Sequence, residues 1–190
     1  MKDIVLASAS PRRREIMDKL NLPYRVVFSN IKENMNPDLS VEERITDLAS
    51  QKAMAVFREN KDALVIGADT VVVLDEEILG KPHNMTEARE MLAKLSGRTH
   101  RVITAIALIS DERTYVDYDV AYVTFDNISA DEIERYVQTR EPYDKAGGYA
   151  IQGWASVFIT GIEGSFYTVM GFPLHKVYKQ LKALGYYIEK

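Results

Sequence analysis

The 190-residue sequence contains no cysteine. Disulfide bonds, a thiolate nucleophile and cysteine-ligated zinc are therefore excluded as functional elements. The sequence also lacks any run near the roughly 20 apolar residues that a membrane-spanning helix requires. The opening segment MKDIVLASASPRRR places its apolar run before its arginines, the reverse of the order in a secretory signal. We expect a cytoplasmic protein with no membrane association.

Several common catalytic motifs are also missing. The sequence contains no phosphate-binding G-x-x-x-x-G-K-[ST] loop, no dinucleotide-binding G-x-G-x-x-G pattern and no G-x-S-x-G nucleophile elbow. The three histidines, His83, His100 and His175, lack the spacing of metal ligands. The formal net charge of −4 is unfavourable for binding a duplex phosphate backbone, so we expect no stable nucleic-acid partner.

The sequence does contain an alternation of strand-like and helix-like segments. Runs rich in apolar and β-branched residues predict strands, whereas apolar residues at helical spacing predict helices. The predicted strands are 3–7, 24–28, 63–74, 99–109, 114–125 and 156–162, and the predicted helices are 11–20, 40–60, 86–95, 130–138 and 174–184. This order predicts an α/β or α+β protein with a mixed sheet, and a break near residues 70 to 80 would suit two lobes.

Three consecutive arginines fill the first turn of the helix that Ser10 caps and Pro11 begins. The unpaired N–H groups of a helix start already carry positive charge, so cations are disfavoured there by roughly 0.3–1 kcal/mol each. A bound anion would remove this conflict, and helix starts are natural phosphate sites. The alternative is that Arg12, Arg13 and Arg14 are simply solvated.

Two further charged residues interrupt apolar patterns. Lys52 falls on the same helical stripe as Ile45 and Val56, where it either snorkels to the edge or meets a buried negative partner. Asp69 interrupts LVIGADTVVVL, a run otherwise typical of a central strand. A buried carboxylate usually has a metal, a cation or a reacting water as its partner, and the alternative is an edge position in contact with solvent.

The segment EPYDKAGGYAIQG, at residues 141–153, combines charged residues with three glycines. Glycines permit close backbone approach and unusual φ angles, so the segment is a candidate ligand-binding loop. A simple connection with turn glycines is the alternative.

Six segments stand in order along the chain: LASASPRRREIM (6–17), IGADTVV (66–72), LGKP (79–82), LSGRTHRVITA (95–105), EPYDKAGGYAIQG (141–153) and VMGFPL (169–174). Together they resemble the Maf family of nucleoside-triphosphate pyrophosphatases, and the resemblance covers nearly the whole chain. The resemblance implies one domain over residues 1–190 with an inosine-triphosphatase-like fold: a twisted mixed sheet, flanking helices and a nucleotide cleft between two lobes. Within the family, the start of the chain is most similar to the subgroup acting on dTTP and UTP.

The resemblance also implies roles for individual residues. Asp69 matches the proton acceptor, and Glu33 with Asp69 would hold a divalent cation, Mg²⁺ or Mn²⁺. Many members have an Asp-Glu pair where this chain has Lys32-Glu33, so one carboxylate is missing. The remaining matches are phosphate-binding Ser8, Arg12, Arg13, Lys52 and Lys81, and specificity positions Arg12, Thr70 and Gln152.

The resemblance therefore implies metal-assisted hydrolysis of dTTP, UTP and modified pyrimidine nucleotides to the monophosphate and pyrophosphate, and it also implies a homodimer. Two other hypotheses stay open. One is the same hydrolysis directed at 7-methyl-GTP, the substrate of the sister subgroup. The other is a non-catalytic nucleotide-binding regulator of septum formation.

Overall fold

The computed structural model describes residues 1–187, which divide into two compact units. Unit 1 comprises Met1–Asp69, Thr104–Asp119 and the described residues from Gly171 onward. Unit 2 comprises Thr70–Ile103 and Val120–Met170. The chain first passes from one unit to the other after Asp69, at the edge of the interval where the sequence indicated a break. A single functional domain over residues 1–190 stays a prediction.

The strands form one mixed sheet. Strand β1 (Ile4–Ala7) pairs in parallel with β2 (Tyr24–Val26) and with β3 (Leu64–Leu74), whereas β4 (Glu77–Leu79) pairs with β3 in antiparallel orientation. The sheet continues with β5 (Thr99–Ile109), β6 (Thr114–Phe125) and β7 (Ile159–Glu163), in the order β2-β1-β3-β5-β6-β7. Ser110 N donates to Arg113 O at 2.8 Å and closes the predicted hairpin between β5 and β6. The predicted fold class is confirmed.

Six α-helices accompany the sheet in the described part of the chain: α1 (Pro11–Asp18), α2 (Val41–Phe57), α3 (Met85–Leu95), α4 (Ala130–Val137), α5 (Phe166–Val169) and α6 (Leu174–Ala183). Ser40 and Ser129 form complete capping boxes with the glutamates three residues later. Within residues 1–187 no helix is long and apolar enough to cross a membrane.

Some predicted boundaries were wrong for local reasons. The segment Trp154–Phe158 forms a 3-10 helix, so the last strand begins at Ile159 and not at residue 156. Helix α3 begins at Met85, one residue before the predicted start, because Asn84 caps it: the Asn84 side chain accepts a hydrogen bond from Glu87 N at 2.9 Å. Strand β4 and helix α5 are three and four residues long, too short to show a period in the sequence.

Each unit buries its own apolar residues. In unit 1 the inward residues of β1 and α2, among them Leu6, Ile45 and Leu48, are almost completely buried. In unit 2 a cluster of apolar and aromatic side chains surrounds Tyr136 and Phe125. Full burial of one such side chain stabilises a fold by roughly 1.5–3 kcal/mol, and this burial holds the functional strands and loops in place.

Candidate functional site

The ammonium group of Lys52 lies between two carboxylates in unit 1. Its Nζ atom contacts Asp69 Oδ1 and lies 2.8 Å from Glu33 Oε1. The side chains of Lys52 and Asp69 are only 12% and 13% exposed, so water screens their attraction weakly. Lys52 therefore has a largely buried negative partner, Asp69, as one of the two alternatives for a lysine on the apolar stripe required.

Strand β3 approaches helix α2 unusually closely where these two residues meet. A Cβ atom at Gly67 would lie 2.6 Å from the carbonyl oxygen of Ala49 and 2.8 Å from the Cβ of Ala53. Only glycine fits there, because both neighbours belong to the helix and cannot move without shifting it. The close approach carries Asp69, two residues further along β3, to the side chain of Lys52.

Glu33 reaches Lys52 from the polar segment between β2 and α2. That segment is fastened to α2 by side chains of the helix: Gln51 Nε2 donates to Asn34 O at 3.3 Å, and Arg44 Nε donates to Leu39 O at 2.8 Å. Arg44 also contacts Pro37 O. The Glu33 side chain is 55% exposed, so its carboxylate contacts both Lys52 and solvent, although the segment that carries it is attached to α2.

The start of α1 is built around two serines. Ser10 caps the helix by accepting a hydrogen bond from Arg13 N at 3.4 Å, and its own N–H donates to Ser8 Oγ at 3.1 Å. Ser8 is buried and also accepts from Arg13 Nη1 at 3.5 Å. Arg13 Nε donates to Gly171 O at 2.8 Å. The guanidinium is therefore held in one orientation and is not a freely solvated cation.

Arg13 belongs to the same charged cluster as Lys52. Burial lowers the pKa of the Arg13 guanidinium, and the positive charge of the neighbouring Arg12 lowers it further. The negative charges of Asp69 and Glu33 act in the opposite direction and raise this pKa. The structure thus brings together six of the predicted residues within unit 1: Ser8, Arg12, Arg13, Glu33, Lys52 and Asp69.

The predicted metal ligands, Glu33 and Asp69, converge on one cationic point, the ammonium of Lys52. No group of three or more His, Asp or Glu side chains suited to a metal ion occurs within residues 1–187. Two carboxylates nevertheless fit Mg²⁺, which is commonly held by one or two carboxylates together with substrate phosphates.

Three predicted residues, Thr70, Lys81 and Gln152, lie in unit 2. Thr70 follows Asp69 on β3, while Lys81 and Gln152 present exposed side chains on loops. The loop of residues 141–153 lies against the segment of Lys81, since Gly147 N donates to Gly80 O at 2.9 Å. Gly147 has φ +69°, and a Cβ there would lie 2.9 Å from the side chain of Val72. Glycine is therefore required at this position both by the backbone conformation and by the lack of space for a side chain.

A buried polar pair, which the sequence did not reveal, attaches the same loop to β5. His100 Nε2 lies 2.7 Å from the hydroxyl of Tyr149, and both rings pack edge-on against Phe125. Burial lowers the pKa of His100 to about 4 and raises the pKa of the Tyr149 hydroxyl. The imidazole is therefore neutral at pH 7, and its contacts identify it as a support for the loop.

Three comparisons with known proteins show what this chain is similar to. A family model described as "Maf-like protein" matches residues 3–184. A dTTP/UTP pyrophosphatase of Bacillus velezensis is 48% identical over 95% of this chain and 96% of its own length, and one of Bacillus cereus is 45% identical over 96% and 95%. The solved structure of the Staphylococcus aureus Ham1 protein aligns with a TM-score of 0.47 at 18% identity, over 65% of this chain and 72% of its own. With a family model matched over residues 3–184 and relatives of this similarity, the chain belongs to the Maf family.

Proposed function

We propose that this protein hydrolyses dTTP and UTP to the nucleoside monophosphate and pyrophosphate. The observation that carries the proposal is the cluster in which the poorly exposed side chains of Lys52 and Asp69 meet the exposed carboxylate of Glu33, near Arg13. A triphosphate requires fixed cations for its phosphates and a base for its attacking water, and this cluster supplies both. The two Bacillus relatives, both named dTTP/UTP pyrophosphatase, support the choice of nucleotide.

In the proposed reaction Asp69 accepts a proton from the water that attacks the α-phosphorus. A new P–O bond forms to the water oxygen, the bond between the α-phosphorus and the bridging oxygen breaks, and pyrophosphate leaves with the bond's electron pair. Lys52 contacts only Oδ1 of Asp69, which leaves Oδ2 available to a water molecule. Lys52 thereby orients the base while its charge, with that of Arg13, stabilises the negative charge that develops on the phosphates.

A divalent cation, Mg²⁺ or Mn²⁺, would be held by Glu33 and Asp69 and would neutralise phosphate charge when bound. Both carboxylates contact Lys52 Nζ and therefore lie close to each other, and this closeness supports the assignment. Lys32 occupies the position of the carboxylate that many family members have, so two carboxylates and the substrate's own phosphates would complete the site.

Base selection is assigned to Arg12, Thr70 and Gln152, and additional phosphate contacts to Ser8 and Lys81. The exposed amide of Gln152 can both donate and accept, as recognition of a pyrimidine edge requires. A site built on such hydrogen bonds rejects bases that leave its polar groups unpaired. The nucleotide substrates make the cytoplasm the proposed location. A homodimer stays a prediction.

A panel of nucleoside triphosphates, assayed for pyrophosphate release with Mg²⁺ or Mn²⁺, tests the proposal. We expect kcat/KM for dTTP and UTP to exceed that for ATP and GTP by about tenfold or more. The same panel includes 7-methyl-GTP, and a preference for that nucleotide would assign the protein to the sister subgroup. Tight binding of UTP without product over hours would instead favour the non-catalytic regulator.

A further inference from the structure

We infer that Glu141 is a positioning residue for nucleotide selection, because its carboxylate fixes the turn that presents Gln152. The inference rests on the proposed function and adds to it a residue that does not touch the nucleotide. All the contacts that support it lie within unit 2.

The Glu141 carboxylate accepts hydrogen bonds from two consecutive backbone amides. Oε2 accepts from Trp154 N at 2.8 Å, and Oε1 accepts from Ala155 N at 3.2 Å. These N–H groups open the 3-10 helix Trp154–Phe158, where no preceding carbonyl satisfies them. Oε1 also accepts from the hydroxyl of Tyr136 at 2.9 Å. Bonds to an ionised acceptor are roughly twice as strong as neutral ones, so this arrangement is a firm attachment.

Gln152 lies two residues before Trp154, the first of the attached amides. Gly153 N donates to Ala150 O at 3.1 Å, which closes a turn with Ile151 and Gln152 at its tip. Gln152 has little backbone freedom, because the turn ends at Gly153 and the next residue, Trp154, is already hydrogen-bonded to the Glu141 carboxylate. The direction of its amide therefore depends on where the Glu141 carboxylate lies.

Gly153 is needed for space and not for conformation. Its φ of −99° is accessible to any residue, but a Cβ there would overlap the Glu141 carboxylate. An alanine would push that carboxylate away from the amides of Trp154 and Ala155. Substitutions at two positions can thus disturb the same contact from opposite sides.

Glu141 is itself held in place by neighbouring residues of unit 2. Glu141 N donates to Thr139 Oγ1 at 3.2 Å, and Glu141 O accepts from Lys145 Nζ at 2.9 Å. Tyr136 is completely buried and its ring stacks on Trp154, with 5.4 Å between ring centroids and 14° between ring planes. Since three donors already occupy its oxygens, the Glu141 carboxylate is suited to holding the loop and not to proton transfer.

The test uses four variants of the full chain. Glu141→Gln preserves size but turns one acceptor into a donor that faces an N–H or O–H group. Gly153→Ala displaces the carboxylate by overlap. The matched controls are Glu163→Gln, the same chemical change on exposed β7, and Gly161→Ala, where a Cβ meets nothing within 4 Å. For each protein kcat and KM are measured with UTP and GTP, and the melting temperature is recorded.

In both test variants we expect the KM for UTP to rise about tenfold and the preference for UTP over GTP to fall by a similar factor, because Gln152 is misplaced. The kcat for UTP should stay within about twofold, since Asp69 and Lys52 belong to unit 1. The two controls should behave as the wild type does. If one test variant does not fold, the other decides.

An unchanged KM and an unchanged preference would overturn the inference. So would a fall in kcat at constant KM, which a general loss of folded protein would produce. Failure of the proposed function gives a different result, because the unmodified protein would then release no pyrophosphate from UTP.

Discussion

At the scale of single residues, the cluster in unit 1 brings opposite charges together. The side chains of Asp69 and Glu33 are anionic, and those of Lys52, Arg12 and Arg13 are cationic. Removing one member of such a partly buried set leaves another without compensation, which costs far more than the loss of one exposed ion pair. Lys52 is the central member, because it contacts both carboxylates.

Substitution of Lys52 by methionine should therefore impair catalysis strongly. The change keeps the length of the side chain but removes the cation that orients Asp69 and neutralises phosphate. We expect kcat/KM for UTP to fall by about 10²–10³, the usual cost of one preorganised charge in an active site. The assay is steady-state pyrophosphate release, with Lys61→Met, an exposed lysine of the same unit, as the control. Equal activity of the two variants would remove Lys52 from the site.

His100 makes the stability of the fold depend on pH. Burial lowers its pKa from 6.5 to about 4, so between these values the unfolded chain binds a proton that the folded chain does not. The stability that the neutral imidazole preserves is fully present above pH 6.5 and is lost as the pH falls toward 4. The maximum loss is roughly 3 kcal/mol.

Urea unfolding at pH 7, 6, 5 and 4.5 measures this loss. As the pH is lowered, the free energy of unfolding should decrease more steeply in the wild type than in His100→Asn, which has no imidazole to protonate. His175→Asn removes an exposed histidine and should keep the wild-type slope. Equal slopes for His100→Asn and the wild type would show that His100 does not cause the loss of stability in acid.

At the scale of elements, the site depends on the close packing of β3 on α2. Substitution of Gly67 by alanine places a methyl group 2.6 Å from Ala49 O and should separate the two elements. Overpacking of this kind costs roughly 1–3 kcal/mol, so we expect a melting temperature several degrees lower. Because Lys52 and Asp69 lie on the separated elements, UTP turnover should fall as well. Gly161→Ala, with open space around its Cβ, should change neither property.

The sequence predicted most elements because local signals and burial agreed. Helix α2 has a capping box, an apolar stripe and a length of several turns, and it begins at Val41, within one residue of the predicted start at 40. The last strand was placed three residues too early, because the apolar segment at 154–158 forms a 3-10 helix. There the carboxylate of Glu141 satisfies the first amides, and no local pattern encodes a contact from a residue 13 positions away.

At the scale of the whole molecule, the family resemblance predicted more of the candidate site than residue patterns alone could. Lys52 and Asp69 were conspicuous because charge on an apolar stripe or in a buried strand needs a reason. Glu33 and Ser8 carried no such signal, as glutamate and serine are ordinary in polar segments. Gly67 and the pairing of His100 with Tyr149 were missed, because each depends on contacts between segments far apart in the chain.

Product analysis of UTP hydrolysis by the wild type and by Asp69→Asn tests the central claim most directly. The wild type should form UMP and pyrophosphate in equal amounts, and Asp69→Asn should turn over about 10²–10⁴ times more slowly, as expected when a general base is lost. Asp62→Asn, the same change at an exposed position of unit 1, should retain wild-type turnover. Near-normal turnover by Asp69→Asn, or release of UDP and phosphate by the wild type, would contradict the account.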